Sequence, residues 1–342
     1  MHDVIEPLPR EEVIKAIERR YPSRIPMILA KWWGHGLPEQ HGEKLKEFDR
    51  YPEDVVWLWT TNPVSPLDMN LSWKWDTTVA KDAVCVIDDW AKLDEFIEKL
   101  PRARNDSRWV ELEKIADRGR ADDRYLMFAH WNFFFERPWM LRGMANLMLD
   151  YYIAPDQIQR LHAAMCDVYE DYIRTAHERL HPDGYFTSDD LGHQTGPMMG
   201  LPTFRELLLP YYRRVGSTIR DCGMHFWLHS CGNNTSYLPD LIDAGVDVFH
   251  PVQKHTMDEA AVAAEFGDRL TFLAGFDVQH ELVEGSPETV RREVRFLMDT
   301  FDQPDGGMCI AAGNGIVGGT PFENIEAFLD EALRYGRERR ER

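Results

Sequence analysis

The sequence predicts an α/β fold, a (β/α)8 TIM barrel carrying a β-hairpin and helical insertions. Three observations carry this. Short apolar, β-branched or aromatic runs alternate with longer segments of helical period, the pattern of parallel strands joined by helices. Eight such runs occur in 342 residues, enough for a parallel sheet to close on itself. No glycine-rich phosphate loop follows the first run, where WWGHG (32–36) has two glycines and leads into Leu-Pro, so an open doubly wound sheet is disfavoured.

The elements follow in order. Residues 11–20 read as a leading helix before a first strand at 25–32, IPMILAKW. Further strands are expected at 54–61, 125–131, 184–190, 224–230, 246–252, 270–276 and 308–313. Helices are expected at 202–222, 234–244, 257–266, 286–300 and 321–335. Two of these open on a cap followed by proline, Ser286-Pro287 and Thr320-Pro321. Residues 63–120 are too long for a simple strand–helix unit. Their stretch MNLSWKWDTTVAKDAVCVIDDW (69–90) reads as a β-hairpin followed by a helix over 91–100. Residues 137–180 read as two consecutive helices broken near Ala154-Pro155. Both insertions belong on the rim of one barrel domain spanning residues 1–342.

Composition narrows the partners. Lys plus Arg number 39 and Asp plus Glu 58, a formal charge of −19. So acidic a surface repels phosphate backbones and anionic lipid, which argues against nucleic acid and membrane surfaces. Apolar runs are too short to span a bilayer, and the charged N-terminus lacks the apolar core of a signal peptide. Five irregularly spaced cysteines argue against a disulfide framework and for a reducing cytoplasm.

In a barrel the C-terminal strand ends meet at one mouth, where catalytic groups sit. Here those ends carry Gly34-His35-Gly36, Thr60-Thr61-Asn62, His130-Trp131-Asn132, Asp189 to Gln194, His229 to Asn233, His250 to Gln253, Asp277 and Asn314. One such residue alone is more often a turn former; the set is harder to dismiss. His229 and Cys231, two apart on a strand, share a face and suit zinc, although two ligands do not complete a site and the thiol could simply pack beside a glycine turn. Asp189 and Asp190 point to opposite faces, and Asp190, just before the Leu-Gly-His-Gln turn, is expected in the pocket. Trp32, Trp33, Trp57, Trp59, Trp131 and Phe133 to Phe135 crowd the same end, as core, lid or a slot for a flat ligand.

The segment HSCGNNTSYLPDLIDAGVDVFHPVQ (229–253) resembles the uroporphyrinogen decarboxylase superfamily, which also holds the cobalamin-dependent zinc methyltransferases. SDDLGHQTGPMMG (188–200), GNGIVGGTPFENIEAF (313–328) and YPSRIPM (21–27) agree, so the resemblance spans nearly the whole chain. It implies a (β/α)8 barrel with its site at the C-terminal mouth. In the methyltransferase branch it implies zinc on the His-x-Cys pair, here His229 and Cys231, and on a later cysteine. Asn314 stands at that third position, and an amide is a weak zinc ligand, so the metal either takes a nearby Asp, Glu or His, binds more weakly or is absent. The arginines by which the decarboxylase branch holds porphyrin carboxylates are replaced by Lys31-Trp32-Trp33-Gly34-His35-Gly36. The resemblance therefore leans toward methyl transfer between a small donor, an aryl methyl ether for example, and cobalamin on a separate corrinoid protein. Asp190, His193 and Asp277 are the expected catalytic residues. Trp33, His35, Trp59, His130, Asn233, Gln253 and Asn314 are the expected substrate contacts. Members of the superfamily often form homodimers. A metal-independent decarboxylase or lyase acting on a small carboxylic acid is the alternative, and a non-catalytic ligand-binding barrel a third.

Overall fold

The computed structural model describes residues 4–341. Nine strands occur among them: β1 (Val55–Trp59), β2 (Tyr125–Ala129), β3 (Gly184–Ser188), β4 (Gly192–His193), β5 (Gly196–Pro197), β6 (His225–His229), β7 (Val248–His250), β8 (Thr271–Phe276) and β9 (Met308–Ala312). Seven of them form one parallel sheet in the order β1-β2-β3-β6-β7-β8-β9, while β4 and β5 make a small antiparallel pair.

The first expected strand, 25–32, is not a regular strand. Pro26 has no N–H to donate, and Leu29 turns the chain with φ at +55°. What remains is a single parallel bridge, Met27 to Ile310. The segment still closes the barrel. Ile310 N donates to Pro26 O, Ile28 N to Ile310 O and Ala312 N to Leu29 O on one side, and Asp54 N donates to Met27 O on the other. The buried Asp54 carboxylate fastens this seam. It accepts both terminal nitrogens of Arg24 at 2.7 Å and the backbone N–H groups of Leu8 and Met27.

Residues alternate between the two buried faces of the sheet. Val55, Tyr125, Met127, Ala129, Phe186, Trp227, Leu273, Cys309 and Ala311 fill the interior, joined from the N-terminal end by Val13, Ile14, Ala16 and Ile17 of the leading helix Arg10–Ile17. Leu58, Leu126, Phe128, Tyr185, Phe226, Phe249, Phe272 and Ile310 face the surrounding helices. With one end plugged by apolar side chains, polar chemistry is left to the other.

The expected hairpin at 69–90 does not form. Residues 63–107 contain three-residue 3-10 turns and the helix Leu93–Glu98, but no strand. Its backbone finds other partners: Val86 N and Ile87 N both donate to Leu141 O, and the Trp73 indole donates to Val86 O. The helical stretch 137–180 breaks at Ala154-Pro155 as expected and once more at Gly143, giving Glu136–Arg142, Met144–Ile153 and Pro155–Leu180. Gly143 has φ +77°, which ends the first helix. The helix expected at 202–222 is likewise two, Leu201–Leu207 and Leu209–Asp221, because Pro210 cannot donate across the join. Ser286 caps Pro287–Phe301 with a reciprocal bond to Thr289. Among the described residues no helix is long and apolar enough to cross a membrane, and all five cysteines are free.

Candidate metal centre and cavity

The register of β6 and β7 sets His229 beside His250 on the inner face of the barrel. His250 Nε2 lies 3.0 Å from the carbonyl oxygen of Ala312. A carbonyl only accepts, so His250 carries its proton there and keeps a lone pair on Nδ1. His229 Nδ1, 2.6 Å from that lone pair, must donate. Burial keeps both rings neutral, lowering His229 to about 4 and His250 well below the usual imidazole range, the latter helped by His229 itself. His229 Nε2 is thereby left as a lone pair aimed at the mouth. Metal-binding histidines are held in this way, with the far nitrogen donating to a fixed acceptor.

Two more donor atoms face that lone pair. Cys231 Sγ lies 3.3 Å from His229 Nε2, and Asp190 Oδ1 lies 3.6 Å from it. Two ligands of a tetrahedral zinc ion, each about 2.0–2.3 Å from the metal, sit roughly 3.4–3.7 Å apart. Asp190 reaches this place because the chain after β3 sends its two carboxylates to opposite sides. Asp189 is buried and turned away, accepting Phe135 N, Glu136 N and the Tyr212 hydroxyl and so capping the helix Glu136–Arg142. Burial, with Glu136 nearby, pushes Asp189 up to about 8. Asp190 faces the cavity, where it also accepts Cys231 N at 2.8 Å. Burial, Asp190 and Glu136 together push the Cys231 thiol far above the usual thiol range. A thiol beside one carboxylate and a neutral imidazole, with their donor atoms all within 4.8 Å of one another, is a donor set that calls for a cation, and it fits zinc.

Asn314 stands beside this group in a different role from that of a ligand. Its Oδ1 accepts Gly315 N at 2.7 Å, which turns Nδ2 toward Cys231 Sγ at 3.8 Å. The amide is a donor to sulfur rather than an oxygen for a metal.

A cavity of about 310 Å³ opens in front of these residues. Asp190, His193, Cys231, Gln253, Asp277 and Asn314 all line it, together with Lys254, Phe276 and Val278. Gln253 Oε1 accepts Gly232 N at 2.7 Å and so braces the turn after Cys231. Asp277, directly after β8, accepts Gln279 N and His280 N through Oδ1. His193 lies exposed on the β4–β5 hairpin that forms one lip.

Other expected contacts lie elsewhere. His130 is sealed in, with Nε2 against the Tyr185 hydroxyl at 2.6 Å and Nδ1 beside Trp131 O, and burial lowers it to about 3. Its strand-end position was correct, but the ring points outward into the helix layer among Phe133, Tyr169 and Tyr185. Asn233 uses its amide to tie its loop to the one after β7, donating to Thr256 O and accepting Thr235 N. Trp33 packs on Phe48, and His35 is exposed outside the cavity wall. Trp59 belongs to a half-buried stack, Trp57–Trp59–Trp131–Trp32, with ring centroids 4.8, 5.2 and 5.3 Å apart in turn. The last two indoles meet His229 edge-on.

Sequence reasoning passed over two residues that support the centre. His250 ends a strand like the other site residues, but only the register shows it touching His229. Glu136, first residue of the helix Glu136–Arg142 and hidden in the sequence behind Phe133 to Phe135, stands behind the centre, accepting from Ser188 Oγ and adding its charge near Cys231.

The family model described as "Uroporphyrinogen decarboxylase (URO-D)" matches residues 139–335. A methylated-thiol–coenzyme M methyltransferase of Methanosarcina mazei is 29% identical over 139 residues, covering 39% of this chain and 33% of that protein. The methylcobamide:CoM methyltransferase MtbA of the same organism is 24% identical over 138 residues, 40% of this chain and 38% of that one. The match thus spans little more than a third of either relative. A solved structure of a methyltransferase from Methanosarcina mazei superposes with a TM-score of 0.68 at 15% identity, covering 96% of this chain and 99% of its own, which shows a shared fold.

Proposed function

The chain belongs to the uroporphyrinogen decarboxylase family, and from that premise we propose that it is a methyltransferase working with a separate corrinoid protein. In this reading the chain acts as one barrel domain, with residues about 63–120 and 137–180 on its rim. The observation that carries it is the lone pair on His229 Nε2, fixed by the chain Ala312 O, His250, His229 and faced by Cys231 and Asp190. These three residues would hold zinc, with Asp190 supplying the third ligand that Asn314 does not. Bound there, zinc polarises the oxygen of a methyl ether or lowers the pKa of a thiol. The two curated relatives, one named for methylated thiols and the other for methylcobamide, support methyl transfer of this kind.

The remaining residues bind and orient. Asn314 Nδ2 steadies the sulfur of Cys231. The half-buried indoles Trp32 and Trp131 meet His229 edge-on, and their apolar surface so near the metal ligand favours an aryl methyl ether as donor. His193, on the exposed lip of the cavity, delivers or accepts the proton of the demethylated group, and Asp277 and Gln253 hold the far wall. The corrinoid protein approaches from the open mouth.

The test pairs elemental analysis of the purified protein with a screen of aryl methyl ethers and methyl thioethers, using cob(I)alamin as acceptor. The expected result is one equivalent of zinc held through Cys231 and methylation of cobalt, that equivalent and the methylation both lost in Cys231→Ser. Stoichiometric turnover of a carboxylic acid after full chelation would instead support a metal-independent decarboxylase.

A further inference from the structure

A second group of ligand-type side chains lies on the same rim, outside the centre just described. His255 comes from the loop after β7, and Asp277 and His280 from the turn after β8. Their donor atoms all fall within 4.8 Å of one another. The loop is shaped by Gln253 O, which accepts Thr256 N, Met257 N and the Thr256 hydroxyl. That places His255 at the tip in the left-handed region, φ +65°, a conformation that disfavours an ordinary L side chain. Asp277 is held from the other side. Its Oδ1 is taken by the N–H groups of Gln279 and His280, and its side chain is only 5% exposed. Oδ2 is turned toward the two imidazoles, 3.4 Å from His280 Nδ1 and 3.8 Å from His255 Nε2.

These separations are informative. They exceed the roughly 2.7–3.2 Å of a direct N–H···O bond. The 3.4 Å separation matches the roughly 3.0–3.4 Å edge between two ligands each about 2.1 Å from one ion, and the 3.8 Å one reaches it with a small movement of the exposed His255 ring. The rings stand at 90° with centroids 5.5 Å apart, so they do not stack and both can aim at one point. Two imidazoles and one carboxylate form a borderline donor set without thiolate, suited to zinc, iron(II), cobalt(II) or nickel(II) rather than to calcium or magnesium. The formal charge of −19 raises the local concentration of such cations.

We propose that His255, Asp277 and His280 form a second binding site for a divalent first-row transition ion, separate from the His229–Cys231–Asp190 centre. Three protein ligands leave coordination positions open to water or to an anionic group of a bound small molecule. Asp277 is shared between this site and the cavity wall, so an ion there sits at the edge of the same cavity. The inference rests on the rim geometry alone and stands whether or not the methyltransferase reading holds.

The test is a cobalt(II) titration of the metal-stripped full chain, followed by visible and near-ultraviolet absorption. The expected result is two bound equivalents, one with a thiolate-to-cobalt charge-transfer band and one without. His255→Ala/His280→Ala changes two exposed side chains and should remove only the equivalent that lacks the band. Cys231→Ser should abolish the band and leave the other equivalent in place. Thermal unfolding of the metal-free double variant, unchanged from the parent, shows that the fold is kept. The proposal is overturned if no bandless equivalent binds at millimolar cobalt, or if that equivalent persists in the double variant.

Discussion

At the scale of single residues, the centre depends on where two protons sit. His250 does not line the cavity in front of the centre, yet it decides which nitrogen of His229 is free. His250→Phe keeps the ring volume and removes the acceptor. Zinc affinity should fall about 10- to 100-fold, the usual cost of losing such an outer partner, as read by competition with a chromophoric chelator. Unchanged affinity would show that the relay does not orient the ligand. A different buried histidine, away from the centre, contributes to acid sensitivity. His162 donates from Nδ1 to Leu207 O at 2.8 Å, its Nε2 has no partner, and burial lowers it to about 4. In the unfolded chain its pKa is about 6.5. Between those values the unfolded state binds a proton that the native state refuses, so stability is lost as pH falls through the window. By about pH 5 this one group costs roughly 2 kcal/mol. His162→Phe loses a hydrogen bond at every pH, but urea unfolding at about pH 7.5 and about pH 5 should show a smaller acid loss than the parent, by roughly that amount.

At the scale of elements, the site is made by the contact of two loops through glycine. The β4–β5 hairpin crosses the turn after β6 so closely that a Cβ on Gly232 would lie 2.2 Å from the carbonyl carbon of Gly192. Gly232 also has φ +82°, so it is needed twice over. Gly232→Ala should push the Cys231 turn off the hairpin, destabilising the fold by about 1–3 kcal/mol and lowering methyl transfer and zinc content together. Normal zinc content in that variant would mean that the loops hold the site independently. The same elements show what could be read from the sequence and what could not. Seven of the eight expected strands are present because their apolar runs are buried on both faces, which leaves a local signature. Asp190, Cys231, Gln253, Asp277 and Asn314 share a cavity because each follows a strand, and strand ends are visible in the chain. His130 has the same position but the opposite parity, so its ring faces the helices; parity near a strand end shifts with a single residue of register. The hairpin at 69–90 failed because its alternation met no neighbouring strand, and its backbone bonds went to the end of a helix instead.

At the scale of the whole molecule, closure of the barrel and shape of the site are one problem. The segment around 26–29 replaces a strand, so the seam between β9 and β1 has few ladder bonds and relies on the Arg24–Asp54 pair. That seam sets the position of β9 through Leu29 O and Ala312 N. Ala312 O in turn fixes the proton on His250, and His250 fixes the lone pair of His229. A loosened seam should therefore be felt at the metal. Arg24→Met leaves the Asp54 carboxylate buried without its cation, a change that costs about 3–5 kcal/mol. Stability loss alone would prove little, so the comparison is with Leu180→Ala, a fully buried residue at the end of the helix Pro155–Leu180 whose truncation costs about 2–5 kcal/mol. Both variants should unfold at lower urea concentration. Only Arg24→Met should also bind zinc more weakly when measured well below its unfolding transition, because only it disturbs the carbonyl at the head of the relay. Equal zinc affinity in the two variants would show that the site is insulated from the seam and that Ala312 is held by β8 alone.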